Sequence, residues 1–237
     1  MNSRLILGSL LAAAAFAAGQ QPEEAPVAPG KERWPIKTSL AANADPANAV
    51  YLPLPDFLAL GSAEGVGNND KRYQSALIPR AADAKFAEGD IVKTRGYLRL
   101  VAGEPDGDYH IQISDTPDSM DNCLVVEVPN PGEEFVTDTA LAARLKPVRE
   151  FIDTKLLRTG DAQGRTRIMQ HAVYVEVTGQ LFFDDAHVAQ TAKGQYRGKS
   201  IHGTQLPSKT VWEIHPVIDM QFAPKPAAAA PRKRPAT

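Results

Sequence analysis

Three short strings hold the side chains of this sequence that could do chemistry: DGDYHIQISD (106 to 115), the Glu127 of CLVVEV, and WEIHPV (212 to 217). On a strand the period of two puts Asp106, Asp108, His110, Gln112 and Ser114 on one side and Tyr109, Ile111 and Ile113 on the other. Glu213 and His215 likewise oppose Trp212 and Ile214, and Glu127 points away from Val126 and Val128. Two imidazoles with several carboxylates are the donors that zinc or a similar divalent metal takes, so His110, His215, Asp108 and Glu213 are the candidate metal ligands. Such an ion could activate water for hydrolysis, as in a nuclease or phosphodiesterase. The same residues serve two other ends. Asp108, His110, Gln112, Glu127, Glu213 and His215 could recognise a ligand without metal, or the histidines could brace the sheet by hydrogen bonds to Asp108, Glu127 or Glu213. The H-x-D and E-x-H spacings do not choose among these, and Asp106 sits in a turn, where its side chain can bond the backbone.

A second stretch carries charge of the opposite sign. DDAHVAQTAKGQYRGKSIHGTQLPSKT holds Lys193, Arg197, Lys199 and Lys209 with Tyr196, which would suit phosphate, sulfate or an acidic glycan. A connection this long is either functional or a mobile solvated loop. Asp184, Asp185, His187 and His202 could complete a metal site only if it folded back. Other chemistry is thin. There is no G-x-S-x-G elbow and no phosphate-cradling glycine motif, Cys123 stands among valines as an inert core thiol, and GEPDGDYH lacks the donor series of a calcium loop.

The elements that must position these residues are legible from residue 89 onward. DIVKTRGYLRLVAG alternates Val92, Thr94, Leu98 and Leu100 against Lys93, Arg95, Tyr97 and Arg99, a long half-buried strand in which Gly96 would permit a bend or bulge. EPDGD is turn chemistry, so the next strand makes a hairpin with the first, and CLVVEV extends the meander. TDTALAARLKPVREFIDTKLL spaces Leu141, Leu145, Val148 and Ile152 as an amphipathic helix after a Thr/Asp cap, with Pro147 predicting a kink or a break. Val173, Val175, Val177, Leu181 and Phe183 mark a fourth strand, and VWEIHPVIDMQF is the fifth. Three strands, a helix and two strands is the element order of the OB-fold, a five-stranded Greek-key barrel, and the fold class expected is mainly β with one helix. In such a barrel the second, third and fifth strands are neighbours, which would gather Asp108, His110, Glu127, Glu213 and His215 on one outer surface.

DGDYHIQISD together with VTGQLFFDDAH and WEIHPV resembles a group of exported bacterial proteins of unassigned function with a similar acid-rich hairpin and E-x-H-P ending. The resemblance spans about residues 31 to 222. It implies export and an OB-like barrel, and no chemistry.

Before the barrel, residues 1 to 19 read as a cleaved secretory signal, with one cation, an apolar run from Leu5 and small residues near Ala17. Residues 20 to 88 are an irregular arm whose prolines forbid long helices and central strands; WPIKTSL could add an edge strand and DFLALG a helical turn. Residues 223 to 237 form an Ala/Pro-rich basic tail expected to be disordered. With one cysteine no internal disulfide is possible, and roughly 215 residues after the signal suit one domain spanning 89 to 222 with decorated ends. The chain has 26 basic and 28 acidic residues; without the signal and tail, 21 cations face 28 acids, a net of −7. That sign argues against general nucleic-acid binding by the body. The expected function is a periplasmic or secreted OB-like binding protein, without a transmembrane helix after signal removal. Its partner would be a small molecule or acidic polymer of the cell envelope, held by the second strand's polar face with Lys193, Arg197 and Lys199. A zinc-type hydrolase is the alternative.

Overall fold

The computed structural model describes residues 31–42, 44–157 and 166–226. The signal (1 to 19) and most of the basic tail lie outside them. The arm contributes α1 (Trp34–Lys37), the two-residue strand β1 (Val50–Tyr51) and α2 (Leu54–Leu58), followed by β2 (Ile91–Gly103), β3 (Tyr109–Ser114) and β4 (Leu124–Val128). Then come α3 (Thr139–Phe151), β5 (Thr166–Phe183), α4 (Val188–Ala192), the small hairpin β6 (Ser200–Ile201) and β7 (Thr204–Gln205), and finally β8 (Trp212–Phe222).

Five of these strands close a barrel in the order β2-β3-β4-β8-β5, and β5 returns to pair with β2. All pairs are antiparallel except β4 with β8. With α3 between the third and fourth barrel strands, this is the OB-like architecture expected from the element order. The hairpin turn forms as its sequence demands: Gly107, at φ 93°, donates its N–H to Glu104, and Glu104 donates to Asp108.

Alternation fills the barrel. Tyr109, Ile111, Ile113, Leu124, Val126, Val128, Val175, Val177, Leu181, Ile214 and Val217 all enter one apolar core. Leu141, Leu145, Val148 and Ile152 of α3 pack on it; Asp138 caps that helix by accepting from the N–H groups of Ala140 and Leu141. α3 runs unbroken through Pro147, and its winding changes instead at the π-helical turn Ile152–Leu156. Closure depends on Gly179, where a Cβ would lie 2.4 Å from both Ile214 Cγ2 and the Pro216 carbonyl oxygen.

Three local expectations are corrected. The register shift in β2 falls between Leu98 and Leu100, not at Gly96, so Leu100 and Ala102 turn outward while Leu98 and Val101 stay in the main core. A bulge adds one residue and reverses every later side chain, which simple alternation cannot foresee. WPIKTSL forms the short helix α1 and not an edge strand, because Pro35 sits in the first turn, where its missing N–H costs nothing. The helical turn near DFLALG starts earlier, at Leu54, and closes at Ala59 before Gly61.

Candidate functional site

β3, β4 and β8 are consecutive staves of the barrel, so their outward residues meet. Glu127 stands opposite His110 across the β3–β4 ladder, and Val126 pairs with Ile214, which brings Glu213 and His215 alongside. His110 Nδ1 lies 2.7 Å from Glu127 Oε1, and its Nε2 faces Gln112 Oε1 at 3.4 Å. His215 Nδ1 bonds Glu213 Oε1 at 3.2 Å and lies 3.2 Å from Glu127 Oε2; its other nitrogen, Nε2, is 3.3 Å from Asp108 Oδ2. Asp108, His110, Glu127, Glu213 and His215 therefore occupy one contiguous outer surface. Asp108, Glu127 and His215 offer ligand atoms within 4.8 Å of one another, a triad that could hold a metal ion.

Little of this outer face meets solvent. Asp108, Gln112 and His215 are fully buried, and Glu213 and His110 nearly so. The cover is the 184–211 connection, which folds back onto the barrel wall. Gln112 fastens it: its Oε1 accepts from the Lys199 N–H at 2.6 Å and its Nε2 donates to the Leu206 carbonyl at 2.8 Å. Gly198, at φ 126°, permits the approach, since a Cβ there would meet the Leu206 oxygen. Leu100, Ala102, Cys123, Ile201 and Leu206 form a second apolar cluster beneath the cover, on the face the β2 bulge exposes. Arg197 is the electrostatic clasp. Its Nη1 donates to Asp184 Oδ2 and, at 2.6 Å, to Glu213 Oε2, joining the start of the connection to β8.

Between cover and wall lies a cleft of about 680 Å³, lined among others by Lys37, His110, Glu127, Asp184, Arg197 and Glu213. Lys37 enters from α1. That helix is held by Arg33, a fully buried guanidinium that makes a two-pronged ion pair with Glu88 (2.5 and 2.7 Å) and donates to the carbonyls of Tyr73, Ala76 and Phe183. His187 Nδ1 bonds Asp184 at 2.6 Å, so Asp184 and His187 do face this cleft as a folded-back connection would require. Asp185 instead accepts from the Asp70 N–H, and His202 lines a separate cavity beside Arg99 and Ile168.

Charges stabilise one another across this wall. Burial opposes the charged form of His215, but the surrounding carboxylates of Asp108, Glu127 and Glu213 outweigh it and hold the imidazole well above its usual range. Burial would likewise raise Glu127, yet His110 and His215 keep it well below the ordinary carboxylate range. Lys37 and Arg197 are raised against their burial by the surrounding carboxylates, and Asp184 is lowered chiefly by Arg197. Asp106 differs: burial, then the charge of Asp108, pushes it up to about 6.

The insert's cations are placed otherwise than their sequence suggests. Arg197 faces the cleft but is committed to Asp184 and Glu213, Lys199 Nζ pairs with Glu104 at 2.6 Å, and Lys193 is exposed at the end of α4, away from the cleft lining. Gln112, expected to touch ligand, pins the cover instead. Sequence reasoning missed Lys37, Arg33 and Glu88 altogether. The one signal for Lys37 was a lone cation inside the apolar WPIKTSL; Arg33 and Glu88 carried none.

No protein-family model, curated protein or solved structure matches the chain. What fold and site define is thus a class by geometry: an OB-like barrel whose acid and histidine wall is roofed by its own fourth-to-fifth strand connection. Among the described residues no helix is long and apolar enough to cross a membrane.

Proposed function

We propose that this is an exported, non-enzymatic binding protein whose ligand is a small polar molecule of the cell envelope, taken up in the cleft between barrel wall and cover. The observation that supports it is the cleft itself: about 680 Å³, the size of a small-molecule pocket, with His110 and Glu127, and Arg197, Asp184, His187 and Glu213, of its lining held by mutual pairing. A site so preorganised loses little freedom on binding. An acidic polymer is the less favoured ligand, because Arg197 and Lys199 spend their charge on Asp184, Glu213 and Glu104.

The test is a thermal-shift panel of amino acids, amines, sugars and nucleotides on the full chain, repeated with Ala186→Trp, which places an indole in the cleft wall. Stabilisation by a small polar compound that the tryptophan abolishes supports the reading. A panel without hits, or hits indifferent to Ala186→Trp, defeats it.

The second reading is a zinc-type hydrolase, favoured by the Asp108, Glu127 and His215 triad. Two of those side chains, Asp108 and His215, are wholly buried, so an ion bound to them would have little room for substrate and attacking water. Hydrolysis of an activated phosphodiester that is lost in Glu127→Gln would reverse the order of the two readings.

A further inference from the structure

Asp108 Oδ2 and His215 Nε2 are both buried without a hydrogen-bond partner, and they face each other at 3.3 Å. Their residues are 0 % exposed, so no solvent compensates either atom. Each is half of a side chain whose other half is engaged. Asp108 Oδ1 accepts the Asn130 N–H at 3.4 Å, and His215 Nδ1 bonds Glu213 Oε1. A carboxylate only accepts, so Nδ1 carries a hydrogen toward Glu213 and Glu127, and loss of the proton on Nε2 leaves its lone pair aimed at a carboxylate oxygen. Two such atoms facing each other in a dry interior need a positive centre between them, either a proton on Nε2 or a bound cation.

The spacing suits a metal. Two donors that each bind at about 2 Å with a tetrahedral angle stand roughly 3.3 Å apart. We propose that Asp108 Oδ2 and His215 Nε2 are the first two ligands of a buried divalent metal ion of the zinc type, with a carboxylate oxygen of Glu127 as the third. Glu127 offers a ligand atom within 4.8 Å of one on each of the other two residues, and its Oε2, now 3.2 Å from His215 Nδ1, swings toward the Nε2 side to close on the ion. Glu213, on the far side of the ring, is the outer partner that fixes the tautomer, as ligating histidines require. His110, at 2.7 Å from the other Glu127 oxygen, orients that carboxylate in the same way. In the metal-free chain a ring proton occupies the same gap.

This departs from the ligand set expected from sequence in two respects: Glu127 replaces His110 as a ligand, and Glu213 is a supporting residue. The ion sits beneath the cleft floor, so it braces three staves of the barrel and sets the charge that a ligand above it meets. The inference rests on the wall geometry and not on ligand binding in the cleft.

The test uses the full chain stripped with EDTA and dialysed, then titrated with zinc by calorimetry, with elemental analysis and ¹⁵N NMR of the His215 ring. Expected are one zinc per chain, a large shift of the Nε2 resonance with Nδ1 still protonated, and a tetrahedral spectrum when cobalt replaces zinc. Glu213→Gln should weaken zinc about ten- to a hundredfold while Asp108→Asn removes stoichiometric binding. Because Asp108→Asn can lose its fold, the cobalt spectrum and ring NMR of the unaltered chain stand as the independent criterion. Absence of zinc binding at millimolar concentration, a ring whose Nε2 resonance ignores zinc, or an octahedral cobalt spectrum overturns the proposal. Ala186→Trp should retain zinc, so a failed metal site and a failed cleft are told apart.

Discussion

Replacing Arg197 by methionine probes how the cover is held. Its guanidinium joins Asp184, at the start of the connection, to Glu213 on β8, and both carboxylates are at most 10 % exposed. Removing one partner of a buried ion pair costs about 3–5 kcal/mol, because the remaining charge stays buried without compensation. Here Asp184 retains His187 and Glu213 retains His215, so the lower end, about 3 kcal/mol, is expected. Urea denaturation followed by circular dichroism reads that loss. Limited proteolysis should also find new cleavage between residues 188 and 205, since the apolar cluster around Leu206 holds only the second half of the cover. Adding Glu213→Gln should recover part of the loss by removing one stranded charge, a coupling that a double-mutant cycle reports. If Arg197→Met costs under about 1 kcal/mol and leaves the cover as protease-resistant as before, Arg197 is not its clasp.

Asp106→Asn should stabilise the protein at neutral pH by about 1–3 kcal/mol, since a carboxyl held at about 6 in the fold against 3.8 unfolded penalises the native state once ionised. The penalty is absent below the unfolded pKa, grows between about pH 4 and 6 and is complete above, so denaturation at pH 3.5 and pH 7.5 should show a gain only at the higher pH. Equal gains at both would contradict it. Gly179→Ala should destabilise by about 3 kcal/mol or more, because the new methyl group meets backbone at the β5–β8 closure; a melting temperature within a degree of the parent would show that the barrel seam gives way easily. Cys123, buried with its thiol pushed up to about 12, should resist alkylation by iodoacetamide at pH 8 until the chain unfolds, and mass spectrometry of the native protein reads the outcome directly.

The barrel was legible because alternation runs through most of each stave. Tyr109, Ile111 and Ile113 against Asp108, His110 and Gln112 fix two faces whatever the surroundings, and the element order then fixes which staves touch. What alternation cannot report is whether the polar face meets water. Here it does not: the cover buries Gln112 and His215 because Gly198 and Gln112 make contacts between residues some ninety positions apart. The basic look of the cover misled for the same reason, as Arg197 and Lys199 answer carboxylates brought near only by folding. Leu100 was assigned to the wrong face by one extra residue at the β2 bulge. The arm was unreadable in principle: its prolines erase periodicity, and Arg33 and Lys37 look like solvated charges until Glu88 is paired with the one and Glu127, Asp184 and Glu213 are gathered around the other.

The central claim is that the acid and histidine wall lies sealed beneath the chain's own connection, and imidazole C2–H exchange measured by mass spectrometry tests it most directly. The account predicts that His215 exchanges slowest of the five histidines, with His110 next, while His171 and His202, both exposed, exchange fastest. Exchange at His215 as fast as at His202 would mean that the wall is open to water and that the cleft described above it does not exist.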